Sequence, residues 1–166
     1  MVDINTFRNG MSMLASAVTV VTTGGAEGLA GFTATAVTSV TDQPPTLLVC
    51  MNRNSYAHPV FTHNASLCVN VLAAGQEAAS ALFADRNIKM HERFERIAWR
   101  LLETGSPALD DAVVSIDCRI VQTLEFGSHS VFFCEVVAMA QTGAHDALVY
   151  FDRRYHGVGT PEVLSA

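Results

Sequence analysis

Lysine is almost missing from this sequence, and charged residues of either sign are scarce. Lys89 is the only lysine, charged residues make up 16% of the 166 residues, and the formal net charge is −6. Proteins that bind nucleic acid or an anionic membrane surface carry clusters of basic residues. The composition therefore argues against a nucleic-acid partner and against a polybasic patch for membrane binding.

Long hydrophobic runs are also missing. No apolar stretch approaches the roughly 20 residues that a membrane-spanning helix needs. The segment 8–24 has the basic start and apolar middle of a secretory signal, but Asp3 precedes Arg8, and Thr19 and Thr22 interrupt the apolar part. We interpret this segment as a helix followed by a strand, and we expect a cytoplasmic protein without a membrane partner.

The cysteines lack the close spacing of a zinc site or a redox dithiol, because no CxxC pair occurs. Each of the four lies in an apolar run, which is typical of reduced thiols in a core. We therefore expect no metal site and no disulfide. The four residues are Cys50, Cys68, Cys118 and Cys134.

The common nucleotide-binding and catalytic motifs are missing as well. No GxGxxG, GxxxxGK[ST], HExxH or GxSxG pattern occurs, and the glycine cluster 24–28 has the spacing of a hairpin turn. A Rossmann or P-loop nucleotide site is therefore excluded. Four histidines without metal-type spacing are interpreted as surface or capping residues: His58, His63, His91 and His145.

What the sequence has is apolar residues, which make up 49% at a mean hydropathy of +0.27. Such a chain folds, and its length suits a single domain over residues 1–166. The apolar fraction is high for a lone soluble monomer. We therefore expect part of the apolar surface to lie in a subunit interface.

Hydrophobic periodicity predicts a mostly β protein. Strands are predicted at 18–23, 29–40, 46–51, 66–72, 112–126, 130–141 and 147–155, and helices at 5–17, 55–62, 76–84 and 90–99. Residues 101–111 are predicted to form a loop. Long strands joined by short turns favour an antiparallel sheet, and closure into a barrel would remove its edges.

The segment 31–41 alternates between an apolar face and a row of small or hydroxyl-bearing residues such as Thr33, Thr35 and Ser39. Such a row would let a flat heteroaromatic ligand lie against the backbone. A solvent-facing strand rich in threonine explains the same pattern by β-propensity alone. From the residues alone, both interpretations stay open.

Asn52-Arg53-Asn54-Ser55 follows a predicted buried strand and precedes a short helix. Asn54 or Ser55 suits the N-cap of that helix, and a helix N-terminus beside Arg53 would form an anion site. The alternative is ordinary capping with Arg53 in solvent.

Two further groups of polar residues lie at strand ends. His129 is predicted at the turn between two long strands, and Arg153, Arg154, Tyr155 and His156 follow the last strand. The second group would suit an anionic, aromatic ligand, and a polar tail is an equal alternative.

Several stretches together resemble the small flavin reductases that supply reduced flavin to two-component monooxygenases. The resemblance covers nearly the whole chain in the family's order. It rests on Phe7-Arg-Asn-Gly-Met11, Ala17-Val-Thr-Val-Val-Thr-Thr23, Gly31-Phe-Thr-Ala-Thr-Ala-Val-Thr-Ser-Val-Thr-Asp42 with Pro44-Pro45, Leu48-Val-Cys-Met-Asn-Arg53, Leu67-Cys-Val-Asn-Val71, Glu92-Arg-Phe94, Gly127-Ser-His129 and Leu148-Val-Tyr-Phe-Asp-Arg-Arg-Tyr-His156.

The resemblance implies an FMN-binding split β-barrel, antiparallel and Greek-key-like with peripheral helices, that works as a homodimer. It implies isoalloxazine contacts from Thr33, Ala34, Thr35, Ala36 and Ser39, and ribityl and phosphate contacts from Asn52, Asn54, Ser55 and Arg93. It implies that His129, Arg154, Tyr155 and His156 face the nicotinamide nucleotide.

The implied activity is hydride transfer from NADH, with NADPH possible, to FMN or FAD. The reactivity belongs to the cofactors, so His129 is expected to position the nicotinamide and not to exchange protons. A separate monooxygenase would then receive the reduced flavin. Two alternatives stay open: a flavin-dependent corrinoid (cob(II)yrinate) reductase and a non-catalytic flavin carrier.

Overall fold

Short helices and antiparallel strands make up the part of the chain that the computed structural model describes, residues 2–144 and 146–159. The helices are α1 (Ile4–Ser12), α2 (His58–Asn64), α3 (Glu77–Ala84) and α4 (Met90–Glu95). The strands are β1 (Ser16–Ala17), β2 (Thr19–Thr23), β3 (Ala30–Ala34), β4 (Val37–Asp42), β5 (Pro45–Asn52), β6 (Ser66–Val71), β7 (Trp99–Leu101), β8 (Pro107–Leu109), β9 (Val114–Phe126), β10 (His129–Gln141), β11 (Asp146–Phe151) and β12 (Arg154–Gly159).

The main sheet has seven strands in the order β3-β2-β6-β9-β10-β5-β4, and every neighbouring pair is antiparallel. A mostly β, antiparallel fold is therefore confirmed. The ladder among the described residues does not close, because β3 and β4 form the two edges of this sheet. A three-stranded sheet, β1-β11-β12, and the β7-β8 pair complete the architecture.

Strand β2, next to the edge strand β3, is covered on both faces, and all five of its residues are buried. Neighbouring side chains of a strand point to opposite faces, so Val20 and Val21 enter two different apolar clusters. The Val21 cluster lies on one face of the main sheet and includes Phe61 and Phe132. The Val20 cluster lies on the other face, beneath α3 and α4, and includes Phe83.

Two predicted strands are each divided in two by the structure. The predicted strand 29–40 stops at Ala34 and resumes at Val37, so its two halves become the opposite edges of the sheet. The predicted strand 147–155 is a hairpin, because Asp152 and Arg153 both have positive φ. Positive φ at both central residues is the geometry of a type I′ turn, which here forms without the glycine that usually indicates it.

The predicted helix boundaries are wrong at several ends. The first helix ends at Ser12 and not at residue 17, and α2 begins at His58 and not at residue 55. The last helix ends at Glu95, and the strand pair β7-β8 forms where a helix end and a loop were predicted. Trp99 explains why a strand replaces the predicted end of the helix. Its indole packs edge-on against Phe94 and donates from Nε1 to the Phe94 carbonyl, so the chain turns back after α4.

All four cysteines carry free thiols, as predicted; Cys68, Cys118 and Cys134 are buried and Cys50 is half-buried. Burial raises the pKa of each thiol, that of Cys134 to about 12. No helix in the described ranges is long and apolar enough to cross a membrane. Within the same ranges, no group of three or more His, Cys, Asp or Glu side chains could hold a metal ion.

Candidate functional site

A cavity of about 650 Å³ opens where the ends of β3, β5 and α3 meet. Its walls are Gly31–Thr33 of β3, Met51 and Asn52 of β5 with the turn that follows, and the end of α3 with the residues after it. The volume lies within the range of about 300–1,000 Å³ that is typical of small-molecule sites. No aspartate or glutamate is among its lining residues.

Gly31 shapes this cavity because the Phe83 ring lies directly against its backbone. A Cβ added at Gly31 would lie 2.7 Å from Phe83 Cε1, which is closer than real Cβ atoms come to neighbouring atoms. Phe83 is held in turn by the edge-on ring of Phe94, at a centroid distance of 5.3 Å. Glycine at position 31 thus allows α3 to pack closely against β3 at the wall of the cavity.

The turn after β5 brings Asn52, Asn54 and Ser55 into the cavity wall, as the resemblance implies. The Asn54 amide nitrogen donates to Asn52 Oδ1 at 2.9 Å, and the Ser55 amide nitrogen donates to the Asn52 carbonyl at 3.0 Å. Asn52 therefore organises the turn with both its side chain and its backbone.

The predicted anion site at the start of the helix is not formed. Helix α2 begins three residues beyond Ser55, and its N-cap residue, Ala57, makes no side-chain capping bond. Arg53 points away from the cavity and pairs with Glu125, while its Nη2 donates to the Gly127 carbonyl at 2.7 Å. The helix begins later than predicted because residues 55–58 form a turn of their own, in which the Ser55 carbonyl accepts from the His58 amide nitrogen.

Arg93 lines the cavity, but its guanidinium is occupied by backbone carbonyls. Nε donates to Ile88 at 3.1 Å, Nη1 donates to Phe83 at 3.0 Å and to Gly31 at 3.4 Å, and Nη2 donates to Asp85. The residue is 3% exposed. These four backbone carbonyls take the place of the water molecules that the guanidinium loses when it is buried.

A second cavity of about 200 Å³ adjoins the first at Thr33, which lines both. Ala34, Thr35 and Tyr155 also line it. Tyr155 is held by its hydroxyl, which lies 2.9 Å from Ser80 Oγ. Thr33 Oγ1 donates to the Ser80 carbonyl, so one residue of α3 fixes side chains from both neighbouring elements.

The other predicted site residues lie outside these two cavities. Ala36 and Ser39 line neither, and Ala36 offers its carbonyl to the Cys50 amide nitrogen. Arg154 and His156 are exposed on β12, where His156 Nε2 lies 3.2 Å from the Phe151 carbonyl. Tyr155 is therefore the member of the C-terminal group that reaches a cavity.

His129 begins β10 and pairs across the ladder with Asn52, which places its backbone beside the cavity wall. Its side chain is exposed, and Nδ1 lies 2.9 Å from Ser128 Oγ. The hairpin turn that carries His129 is held by Arg53 through its pairing with Glu125 and its bond to Gly127.

His58 was predicted to be a surface or capping residue, and the structure corrects this. Its Nε2 lies 2.9 Å from Ser130 Oγ, and its ring stacks on Phe132. The pKa of His58 lies below its usual value, mainly because the ring is partly buried. The charge of Glu125 acts in the opposite direction and raises this pKa, whereas the charge of Arg53 lowers it. His63 and His91 are exposed, and His145 lies outside the described residues.

Several residues of the larger cavity were not singled out in the sequence, including Tyr56, Phe83, Ala84 and Arg86. They lie in segments whose local pattern indicates only a turn or the end of a helix. The one available signal was Arg86, an arginine without a nearby acidic residue at helical spacing in a chain that has few cations.

The chain is similar in sequence to known proteins. A family model described as a flavin reductase like domain matches residues 11–159. The FMN reductase (NADH) RutF of Variovorax paradoxus (strain S110) is 54% identical over 155 residues, which cover 93% of this chain and 86% of that protein.

Solved structures give the same result. BorF, the flavin reductase component of a bacterial two-component tryptophan halogenase, matches with a TM-score of 0.88 at 32% identity, over 95% of this chain and 99% of that one. The NADH:FAD oxidoreductase SgcE6 of Streptomyces globisporus C-1027 matches with a TM-score of 0.85 at 32% identity, over 94% and 95%. Because the family model spans most of the sequence and a relative shares more than half of its residues, this chain belongs to the flavin reductase-like domain family.

Proposed function

We propose that this protein is an NADH-dependent flavin reductase that supplies reduced flavin to a separate monooxygenase. The observation that carries the proposal is the pair of adjoining cavities that share Thr33, in a chain that is 54% identical to a protein named FMN reductase (NADH). The larger cavity suits the flavin and the smaller one suits the nicotinamide ring. FMN is the favoured flavin because that relative's name specifies it.

The residues of the larger cavity fit a phosphorylated flavin. Gly31 and Thr33 offer a strand surface with little side-chain bulk, and Asn52, Asn54 and Ser55 offer neutral donors and acceptors. Thr33, which lines both cavities, would contact the isoalloxazine through the backbone. Ala34 and Thr35 line the smaller cavity, so they would contact the isoalloxazine where it adjoins the nicotinamide. Ala36 and Ser39 follow these residues in the chain and remain candidates for contact with the isoalloxazine. Arg93 supports the cavity wall, because its guanidinium donates to the carbonyls of Gly31 and Phe83.

Flavin and nicotinamide, when bound, supply the hydride chemistry themselves. The residues of the two adjoining cavities would hold the flavin and the nicotinamide next to each other and would exclude water. Fixing two reactants in contact can supply roughly 7–11 kcal/mol in ideal systems. No residue needs to exchange a proton, so His129 is assigned a positioning role at the mouth of the site. Arg154, Tyr155 and His156 would contact the nicotinamide nucleotide.

The assembly we propose is a homodimer of split barrels in the cytoplasm. Leu124 and Phe126 lie on one face of β9, and their exposures of 50% and 85% leave an apolar surface uncovered. In the homodimer, a second copy of the chain would cover this surface. The open edges β3 and β4, which follow one another in the chain, support a split barrel, and free thiols suit a reducing compartment.

The proposal is tested by measuring the loss of NADH absorbance with the purified protein and added FMN or FAD. Loss of NADH that depends on flavin, with a lower KM for FMN, is the expected result. Flavin binding without NADH oxidation would support a carrier instead, and no flavin binding would overturn the proposal. Coupling the assay to a cob(II)yrinate acceptor distinguishes the corrinoid reductase alternative.

The role of His129 is tested by His129→Ala. We expect a higher KM for NADH and an unchanged Kd for FMN, because the side chain lies beside the cavity and not in its lining. Unchanged kcat and KM for NADH would show that His129 does not position the nucleotide.

A further inference from the structure

Ser80 of α3 belongs to the wall of the smaller cavity and is fully buried. Its carbonyl accepts from Thr33 Oγ1, and its Oγ lies 2.9 Å from the Tyr155 hydroxyl. Thr33 lines both cavities, and Tyr155 lines the smaller one. One buried residue therefore contacts two cavity residues from different sheets, with its backbone on one side and its side chain on the other.

The surroundings of Ser80 indicate which of the two hydroxyl groups donates. Among the residues that the structure describes, Tyr155 is the only hydrogen-bond partner of Ser80 Oγ. A buried hydroxyl hydrogen without an acceptor is costly, whereas an oxygen with one unused lone pair is tolerated more often. This difference favours Ser80 as the donor and the Tyr155 oxygen as the acceptor.

Tyr155 is held at both ends of its side chain. Its ring packs edge-on against Tyr150 at a centroid distance of 5.4 Å, and its hydroxyl contacts Ser80. Tyr155 is 39% exposed and lines the smaller cavity, so its own hydroxyl hydrogen is available to a ligand there. A nicotinamide ring carries an amide carbonyl, which is an acceptor for such a donor.

We infer that Ser80 is a positioning residue for the nicotinamide. By donating to Tyr155, it directs the Tyr155 hydroxyl hydrogen towards the smaller cavity. The Ser80 carbonyl acts on the other side, because it holds Thr33 at the boundary between the two cavities. The inference rests on the proposed function and adds to it a residue that acts through its neighbours and not by contact with either cofactor.

The test separates the side chain of Ser80 from its backbone, by steady-state kinetics with NADH and by the Kd for FMN from flavin fluorescence. Ser80→Ala removes the hydroxyl and keeps the carbonyl. It should raise the KM for NADH about 3- to 10-fold, the loss expected for one hydrogen bond, and leave the Kd for FMN unchanged. Ser80→Cys keeps a weak donor of similar size and should lie between the two.

Two further variants test the contacts on either side of Ser80. Thr33→Val removes the hydroxyl that binds the Ser80 carbonyl, so it should weaken both FMN and NADH, because Thr33 lines both cavities. Tyr155→Phe should raise the KM for NADH at least as much as Ser80→Ala does. Since Ser80 acts through Tyr155, adding Ser80→Ala to Tyr155→Phe should raise the KM no further.

The matched control is Ser115→Ala. Ser115 is a buried serine whose Oγ donates to Asn70, and it lines neither cavity. This variant loses a buried hydroxyl group as Ser80→Ala does. It should therefore lower the Tm by a comparable amount and leave the KM for NADH unchanged.

Other results separate the inference from the proposed function. If the unchanged protein oxidises no NADH with FMN or FAD, the proposed function fails, and the inference fails with it. If it does oxidise NADH and Ser80→Ala changes the KM for NADH no more than Ser115→Ala does, only the role of Ser80 is overturned. Equal changes in the KM for NADH and the Kd for FMN, or additive effects of Ser80→Ala and Tyr155→Phe, would also overturn that role.

Discussion

Asn70 shows how one side chain joins several strands in the core. It is fully buried, and its Nδ2 donates to the Val20 carbonyl at 3.0 Å and to Thr22 Oγ1 at 3.2 Å. Its Oδ1 accepts from the Leu109 amide nitrogen and from Ser115 Oγ, both at 2.8 Å. Strands β2, β6, β8 and β9 therefore meet at one amide group, which accounts for a polar residue inside an apolar region.

Replacing Asn70 with alanine should lower the free energy of unfolding by about 3 kcal/mol, because it leaves several buried groups unpaired and each costs about 1–3 kcal/mol. Ser115→Ala is the control, since it removes a single hydrogen bond of the Asn70 amide group and should cost about 1 kcal/mol. Urea unfolding followed by circular dichroism measures both. A smaller loss in Asn70→Ala than in Ser115→Ala would contradict the central role of Asn70.

We expect His58 to make the stability of the protein depend on pH. Burial lowers the pKa of His58 in the folded chain below its usual value of 6.5, and the net influence of Glu125 and Arg53 does not reverse this. Above that usual value the residue is neutral in both states. As the pH falls below it, the unfolded chain binds a proton that the folded chain resists, so the free energy of unfolding falls.

We therefore expect His58→Gln to reduce the loss of Tm between about pH 7 and pH 5. The matched control is His63→Gln, which removes an exposed histidine from the same helix. Thermal unfolding across this range measures both variants. Equal acid sensitivity in His58→Gln and the unchanged protein would show that His58 does not contribute.

At the scale of elements, the hairpin between β9 and β10 depends on a residue far away in the sequence. Arg53, directly after β5, pairs with Glu125, and its backbone nitrogen donates to the Ser128 carbonyl at 2.9 Å. These contacts, together with the bond to Gly127, hold the turn that presents His129. Arg53 thus acts on the site through the turn and not as a ligand of an anion.

Arg53→Gln should raise the KM for NADH roughly 3- to 10-fold, because a displaced positioning group weakens orientation of the nucleotide. The Kd for FMN should stay unchanged, since the Arg53 side chain points away from the flavin cavity. Arg119→Gln is the control on the same hairpin, where it removes an exposed pair with Glu103. Equal effects on NADH and FMN would indicate general damage to the turn after β5.

At the scale of the whole molecule, exposed apolar side chains occur both in the N-terminal segment with α1 and at the end of the β9-β10 hairpin. Leu124 pairs with Val131 and Phe126 pairs with His129, so these residues share a face. Val131 is half-buried, whereas Leu124 and Phe126 are exposed. Two large apolar side chains exposed on one face of a strand suit a protein interface, in agreement with the apolar composition.

Leu124→Glu should shift the protein from dimer to monomer, because it places a charge within the proposed interface, where burial of an unpaired charge is costly. Val158→Glu is the control, since Val158 is equally exposed at 50% but lies on β12 of the small sheet. Sedimentation velocity at micromolar concentration measures both. A monomeric unchanged protein would contradict the homodimer.

Much of the fold was readable from local sequence. The alternation of apolar residues and the turn residues located most strands, including β2, β6, β9 and β10, because strand periodicity is a property of neighbouring residues. The composition excluded whole classes of protein, and the motif stretches identified the family. Thr33, Asn52, Asn54 and Ser55 were also singled out before their cavity was known.

Only the tertiary structure decided which arginine is available to a ligand. Arg53 bonds to a residue 72 positions away and Arg93 to one 62 positions away, and no local pattern shows such a partner. Arg86, by contrast, lines the larger cavity and has no ion pair within residues 2–144 and 146–159. Sequence determines which side chains are present and how each segment tends to fold, whereas the burial and the remaining hydrogen-bonding capacity of a charged group are set by long-range packing.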